Sequence, residues 1–260
     1  MSIFGFGKTL NRRQYLSFSN TSFIILLVLW SILSYGGLID PFFLPSPSTI
    51  LATIFNLFSN HNLTYDIWIS IFRVLVAFLL SAVIAIPLGI LMSSFKFMEA
   101  LIEPPVDFVR YLPVPALVPL TILWVGIGES SKILLLFIGT FFQLVLLVMD
   151  DANNIRKEYF EIAYTLGADT KDVIRRVMLP AVLPNIYDDL RVTLGWCWTY
   201  LLIGEMVAAN SGIGHLIQEA QRFAKPQVVL SGVLIIGVIG LVSDYSFKLG
   251  YKIFFRYKDK

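Results

Sequence analysis

Two ionisable residues stand inside runs that are otherwise apolar: Arg73 in "DIWISIFRVLVAFLL" and Glu205 in "CWTYLLIGEMVAAN". An arginine in a lipid core costs at least ~2.5–3.5 kcal/mol, so it must face protein or water. Three roles are open to Arg73. It can form a structural ion pair, with Glu205 as the candidate partner; its guanidinium can snorkel to the interface; or it can act as a cationic collar that attracts an anion. Trp196 and Thr199 precede Glu205 in the same run. They either pack as ordinary core residues or line a pathway together with Arg73 and Glu205.

Other chemistry is thinly supported. His61 and His215 are far apart and have no metal-ligand neighbours, so no metal site is expected. No carboxylate pair, Ser–His or Cys–His arrangement stands at catalytic spacing, and an enzyme is not expected. The single cysteine, Cys197, lies in an apolar run and reads as a packing residue. The stretch "GFGKT" (Gly5–Thr9) nearly forms a phosphate loop, but Ser2 occupies the position that requires glycine. The chain should therefore bind no ATP. Its basic residues are scattered, without the clustered stripe that nucleic acid needs.

These residues must be positioned by elements of an unusual chain. Of 260 residues, 57% are hydrophobic and 15% charged, against about a quarter charged in soluble domains. Continuous apolar runs approach the roughly 20 residues that cross a bilayer. The pattern predicts an all-α membrane protein with six spans, at about 22–39, 67–92, 106–125, 133–149, 192–209 and 228–247. Residues 1–21 then form a cytosolic N-terminal segment, 22–250 the membrane domain, and 251–260 a cytosolic tail. Pro113, Pro115 and Pro119 break the third span; backbone freed at that depth must be buried in protein or line a cavity. With the N-terminus inside, only Arg73, Lys132, Arg222 and Lys225 of the 20 basic residues fall outside. Lys96 and Arg110 count among the inner ones. This asymmetry obeys the positive-inside rule. Between the first two spans, Pro45 and Pro47 break the helix. Ser48 can then cap a short amphipathic helix with Ile50, Leu51, Ile54, Phe55 and Phe58 on one face.

One polar stretch interrupts this design: "EIAYTLGADTKDVIRRVMLP", Glu161–Pro180, within a predicted inner loop at 150–187. Ile155, Tyr159, Ile162, Ala163 and Leu166 share one helical face. Gly167 suits a left-handed helix end, and Asp169 or Thr170 can cap a second helix. That helix carries an apolar stripe of Val173, Ile174, Val177 and Ala181. Leu179–Pro180 should end it. Pattern alone leaves two readings open: a loop folded back on its own bundle, or a dock for a soluble partner.

The register of this hairpin resembles the cytoplasmic loop of permease subunits of binding-protein-dependent ABC importers. That loop reads Glu-Ala-Ala, three residues, Gly, nine residues, Ile-x-Leu-Pro. Glu161, Ala163, Gly167, Leu179 and Pro180 match it, while Ile162 and Val177 are apolar replacements. "RYLPVPALVPLTILWVGIGESSKI", "GEMVAANSGIGHLI" and "PSPSTI" resemble segments of the nitrate, sulfonate, taurine and bicarbonate branch. The resemblance implies the type I importer permease fold and a translocation pathway for a small anion. Related branches carry pyrimidine vitamin precursors or riboflavin; outside the class, an ion-coupled secondary transporter is the alternative. The resemblance also implies two cytosolic ATPase subunits that hold ATP–Mg, so that this chain itself binds no cofactor. A second permease copy, an external binding protein and the bacterial inner membrane complete the implied assembly, with both termini cytosolic. Contact with the ATPase would fall on Glu158, Glu161, Ala163, Leu166, Gly167, Ala168 and Asp169.

Overall fold

The computed structural model describes residues 11–60 and 62–256. The readings made for Gly5–Thr9, His61 and the last four residues lie outside them. The chain divides into two units, one containing 11–60 with 220–231 and the other 62–219 with 232–256.

In the first unit, α1 (Arg12–Tyr35) begins ten residues before the predicted span and stops at Gly36. None of its most apolar window is buried, so lipid or another chain must cover it. The amphipathic helix α2 (Pro47–Asn60) exists as predicted. Its cap, however, is Ser46, whose Oγ accepts the Thr49 N–H at 3.4 Å. Ser48 instead accepts a hydrogen bond from the Tyr35 hydroxyl at 2.7 Å. The predicted apolar face is only partly covered: Ile50 is buried, while Leu51, Phe55 and Phe58 are exposed.

The second unit is built on α3 (Leu63–Ser94), α4 (Lys96–Arg110), α5 (Val118–Val125) and α6 (Glu129–Asn153). Two short helices follow, α7 (Lys157–Thr165) and α8 (Thr170–Asp172). A π-helical turn (Val173–Met178) then leads into α9 (Leu179–Ala208). The chain ends in α10 (Ile213–Arg222) and α11 (Pro226–Phe254), both shared with the first unit. A helix lies at each of the six predicted spans. Four are long and apolar enough to cross a membrane: α1, α3, α6 and α11. A fifth place is taken by α4 and α5, bent by 92°. The 3₁₀ turn Val114–Leu117 fills that bend, with Pro113 and Pro115 in it and Pro119 at the start of α5. The sixth, α9, has 30 residues, about 45 Å of helix. Asp188, Asp189, Arg191 and Glu205 make it less apolar than the others.

The core lies where α3, α6 and α9 meet. Ala85, Leu144, Val145, Val148, Val182 and Ile186 form one buried cluster. Small residues bring α3 and α6 together: a Cβ on Gly89 would stand 2.7 Å from the Val145 carbonyl. The Ser81 and Thr140 hydroxyls share a hydrogen bond across the same interface at 2.8 Å. Without a hydrophobic drive between helices in lipid, such close backbone approach supplies the packing contacts that association needs.

Candidate functional site

The polar hairpin owes its shape to local hydrogen bonds. Gly167 has φ +86°, a conformation that costs glycine little because it lacks Cβ. Its N–H donates to the Tyr164 carbonyl, and the Ala168 N–H donates to the Ala163 carbonyl, each at 3.0 Å. Together they form a Schellman closure of α7, which accounts for the spacing of Ala163, Gly167 and Ala168. Asp169 is the second cap, accepting the Asp172 N–H at 2.7 Å. Thr170 is simply the first residue of α8.

Two expectations for the hairpin need correction. Leu179–Pro180 does not end the second helix. The π-helical turn runs straight into α9, so Pro180 lies within one continuous helix. Nor does the predicted face of α7 pack as one stripe. Ala163 is buried, and Ile155 and Phe160 lean on the core. Tyr159, Ile162 and Leu166 are exposed, Leu166 by 82%. On the second segment Val173 and Met178 are buried, whereas Ala181 is exposed. Glu158, Glu161 and Asp169 are exposed as well, and neither glutamate forms an ion pair among the described residues. The hairpin is therefore anchored on one side by a few small contacts and presents apolar and acidic groups on the other.

A second polar site is buried. Arg73 on α3 has no solvent exposure and spends its guanidinium on three elements. Nη1 donates to Glu205 at 2.5 Å and to the Ser211 carbonyl at 2.8 Å. Nε and Nη2 form a two-pronged pair with Glu129 at 2.6 and 2.8 Å. Lys132 donates to the same glutamate at 2.8 Å. Glu205, equally buried, also accepts from the Ser70 hydroxyl at 2.7 Å and the Gly214 N–H at 2.8 Å. Asp66 accepts the Gly212 N–H at 2.6 Å. Gly212 has φ +110°, and a Cβ there would sit 2.6 Å from Arg73 Nη1. This clamp pins the loop between α9 and α10 to α3 and α6.

The segment 85–254, which holds the hairpin, α9 and most of the clamp, matches the family model described as the inner membrane component of binding-protein-dependent transport systems. The chain belongs to that family. It is 33% identical over 220 residues to a Bacillus subtilis protein named as an aliphatic sulfonates transport permease, spanning 85% of this chain and 80% of that one. It is 31% identical over 225 residues to the Escherichia coli taurine transport permease (85% and 82%), and 28% over 229 residues to a Synechocystis nitrate import permease (85% and 82%). The fold is that of solved ABC importer membrane subunits. The methionine transporter MetNI superposes with a TM-score of 0.65 at 18% identity, covering 74% of this chain and 95% of that one. A bacterial alginate importer does so with 0.60 at 15% identity, covering 94% and 97%. The chain is thus a multi-pass membrane permease of the type I importer fold.

Within this permease the remaining site residues are dispersed. Thr199 lines an apolar cavity of about 330 Å³ with Gly195, Trp198, Gly237 and Gly240. Trp196 is half-buried and does not line it. The clamp residues Arg73 and Glu205 lie apart from that cavity, so the four residues grouped from the sequence do not form one site. Sequence reading missed Glu129 as the third member of the clamp, although "GIGESSKI" contains it. It also placed Lys132 in an outer loop, whereas the chain buries it against Glu129. No carboxylate pair was expected, yet Asp189, about a third of the way along α9, meets Asp151 at the end of α6. Burial, then the neighbouring Asp151 charge, push the Asp189 pKa up to about 7.

Proposed function

We propose that this permease forms the membrane pathway of an ATP-driven importer for a small oxyanion, of the sulfonate, taurine or nitrate kind. The relatives named for those solutes support the solute class. The single observation that carries the coupling role is the hairpin at Lys157–Met178. It is rigidly capped at Gly167 and Asp169, and it turns Tyr159, Ile162, Leu166, Glu158 and Glu161 outward. Closure of an ATPase dimer must reach the helices as force, which requires a stiff element seated in a partner's groove. The exposed apolar side chains supply contact area, and Glu161 supplies a charge for a basic partner residue. The π-helical continuation makes the second arm of the hairpin one rod with α9, so a push there is delivered directly into the membrane bundle. In this reading two cytosolic ATPases hold ATP–Mg, a second copy completes the pathway, and an external binding protein delivers the solute. Both termini and the hairpin face the cytosol.

The test is a reconstituted importer. Wild-type vesicles should take up at least one of nitrate, taurine or methanesulfonate when ATP and the binding protein are supplied on opposite sides. Glu161→Lys should insert normally, lose uptake at least tenfold and retain less ATPase on pull-down. Cysteine placed at Asp169 should be labelled from the cytosolic side only; labelling from outside intact cells would overturn the orientation and with it the coupling role.

A further inference from the structure

Arg110 falls within the predicted third span and counts among its inner basic residues. It ends α4 at the 92° bend and lines one cavity of about 260 Å³ together with Gln143, Gly139 and Tyr200. Gln143 stands fourteen residues from the start of α6 and ten from its end, about 21 and 15 Å along the helix. Arg110 lines a second cavity with Met149 and Asp150, so it lies between the middle of α6 and its C-terminal end, inside the span, where an ionisable group points to function.

Three polar groups meet in that cavity without protein partners among the described residues: Arg110 Nη1, the Gln143 amide and the Tyr200 hydroxyl. Arg110 uses its other nitrogens. Nε and Nη2 donate to Asp107 at 3.1 and 2.5 Å, and Nη2 also donates to the Tyr111 hydroxyl at 3.1 Å. The contrast with Arg73 is direct, since every nitrogen of that guanidinium is taken by protein. Polar groups left unpaired at this depth must face water or a ligand.

We propose that Arg110, Gln143 and Tyr200 form a subsite that binds the oxyanion group of the transported solute; this rests on the anion reading above. Each of the three can donate to an oxygen: the guanidinium as a charged fork, the amide and the phenol as neutral donors. The cavity is smaller than the roughly 300–1,000 Å³ of drug-sized sites, which suits a small solute. Asp107 neutralises Arg110 when the site is empty and competes with the solute when it is full. This keeps binding weak enough for release, as conduction requires. Glu103, Asp107 and Asp150 line an adjoining cavity of about 200 Å³ that shares Arg110 and Gln143. Beyond the two shared residues, an anion leaving that way meets carboxylates and the apolar Leu146, Leu147 and Met149, none of which holds it. Gly139 makes room for the phenol, because a Cβ there would stand 2.6 Å from the Tyr200 ring.

The experiment places a cysteine at position 143 by Gln143→Cys in the assembled importer. The native Cys197 is buried and gives little background. Rates of modification by an anionic and a cationic methanethiosulfonate are compared, each relative to a free thiol. The anionic reagent should be favoured at least tenfold, and Arg110→Gln should abolish that preference. In uptake, Arg110→Gln should lower anion transport at least tenfold while the binding protein still stimulates ATP hydrolysis, and Arg110→Lys should recover part of it. Gln143→Leu removes only a side chain with no protein partner, so it should fold even where Arg110→Gln does not; it should lower uptake at least threefold. Labelling that ignores charge, or full uptake by Gln143→Leu, in a complex that imports an anion overturns the subsite alone. A wild-type complex that carries a neutral solute and none of the anions overturns the proposed solute class and the subsite together.

Discussion

The hairpin at Lys157–Met178 and the clamp around Arg73 are both polar interruptions of an apolar chain, yet they are built in opposite ways. In the clamp Arg73, Lys132 and Glu205 are buried, Glu129 pairs with both cations from the more open edge, and the ligating groups come from α3, α6, α9 and the loop after it. In the hairpin the charges lie at the surface, with Arg176 paired to Asp172 at 3.0 Å and both glutamates outside any ion pair among the described residues, and the geometry comes from hydrogen bonds between near neighbours. A buried charge network is intolerant of the loss of one member, because the others remain charged and unpaired. A locally capped hairpin can be altered with little effect on the bundle. In the proposed reading the first region serves stability and the second serves partner contact.

The largest effect should follow loss of the Arg73 charge. Arg73→Gln leaves Glu205 buried and Glu129 half-paired, a loss of about 3–5 kcal/mol. It should appear as a large drop in membrane abundance and in thermal midpoint in detergent. A variant with wild-type stability would break the comparison at its stronger end. Gly212→Ala comes next. It combines a positive φ with a Cβ that presses on the Arg73 guanidinium, and strain of this kind costs about 1–3 kcal/mol. Unfolding by detergent-compatible calorimetry should register it, whereas Gly167→Ala, in open space, should cost less.

A smaller effect concerns the joint between the two regions, where Asp189 meets Asp151. The pKa of Asp189 is raised from the ordinary 3.8 to about 7, so between those values the folded chain binds the extra proton. The protonated pair is the stable form. Stability from this source is full below pH ~4 and is lost as pH rises through about 7. The thermal midpoint should be higher at pH 5 than at pH 8, and Asp189→Asn should flatten the difference. A midpoint that rises with pH in the wild type and not in Asp189→Asn would contradict the assignment.

What sequence made legible differs between the two regions for the same physical reason. The hairpin is local: Gly167 and Asp169 announce their roles because the hydrogen bonds they serve span only a few residues. The clamp is not. Arg73 and Glu129 are 56 residues apart, and nothing in either neighbourhood says that they meet. Glu205, an acid in an apolar run, was legible as a candidate partner for Arg73, and the two do pair. Pro180 misled because a proline is a reliable stop only inside a regular α-helix. Here a π-helical turn precedes it, and the rod continues. The prolines announced a break in the third span, but not the 92° bend that sets Arg110 beside Gln143 of α6. The predicted face of α7 failed in an informative way. Its exposed half is apolar, which the proposed reading accounts for as a surface that the ATPase covers.

In the proposed reading the hairpin serves a partner and not the bundle. Gly167→Val tests it most directly, since the position has no neighbour within 4 Å of an added Cβ and the only penalty is a β-branched side chain at positive φ. The measurement is ATPase retained on pull-down of the variant, read against its thermal midpoint in the same detergent. The account predicts a midpoint close to wild type with ATPase retention reduced at least fivefold. Full retention at an unchanged midpoint would contradict it.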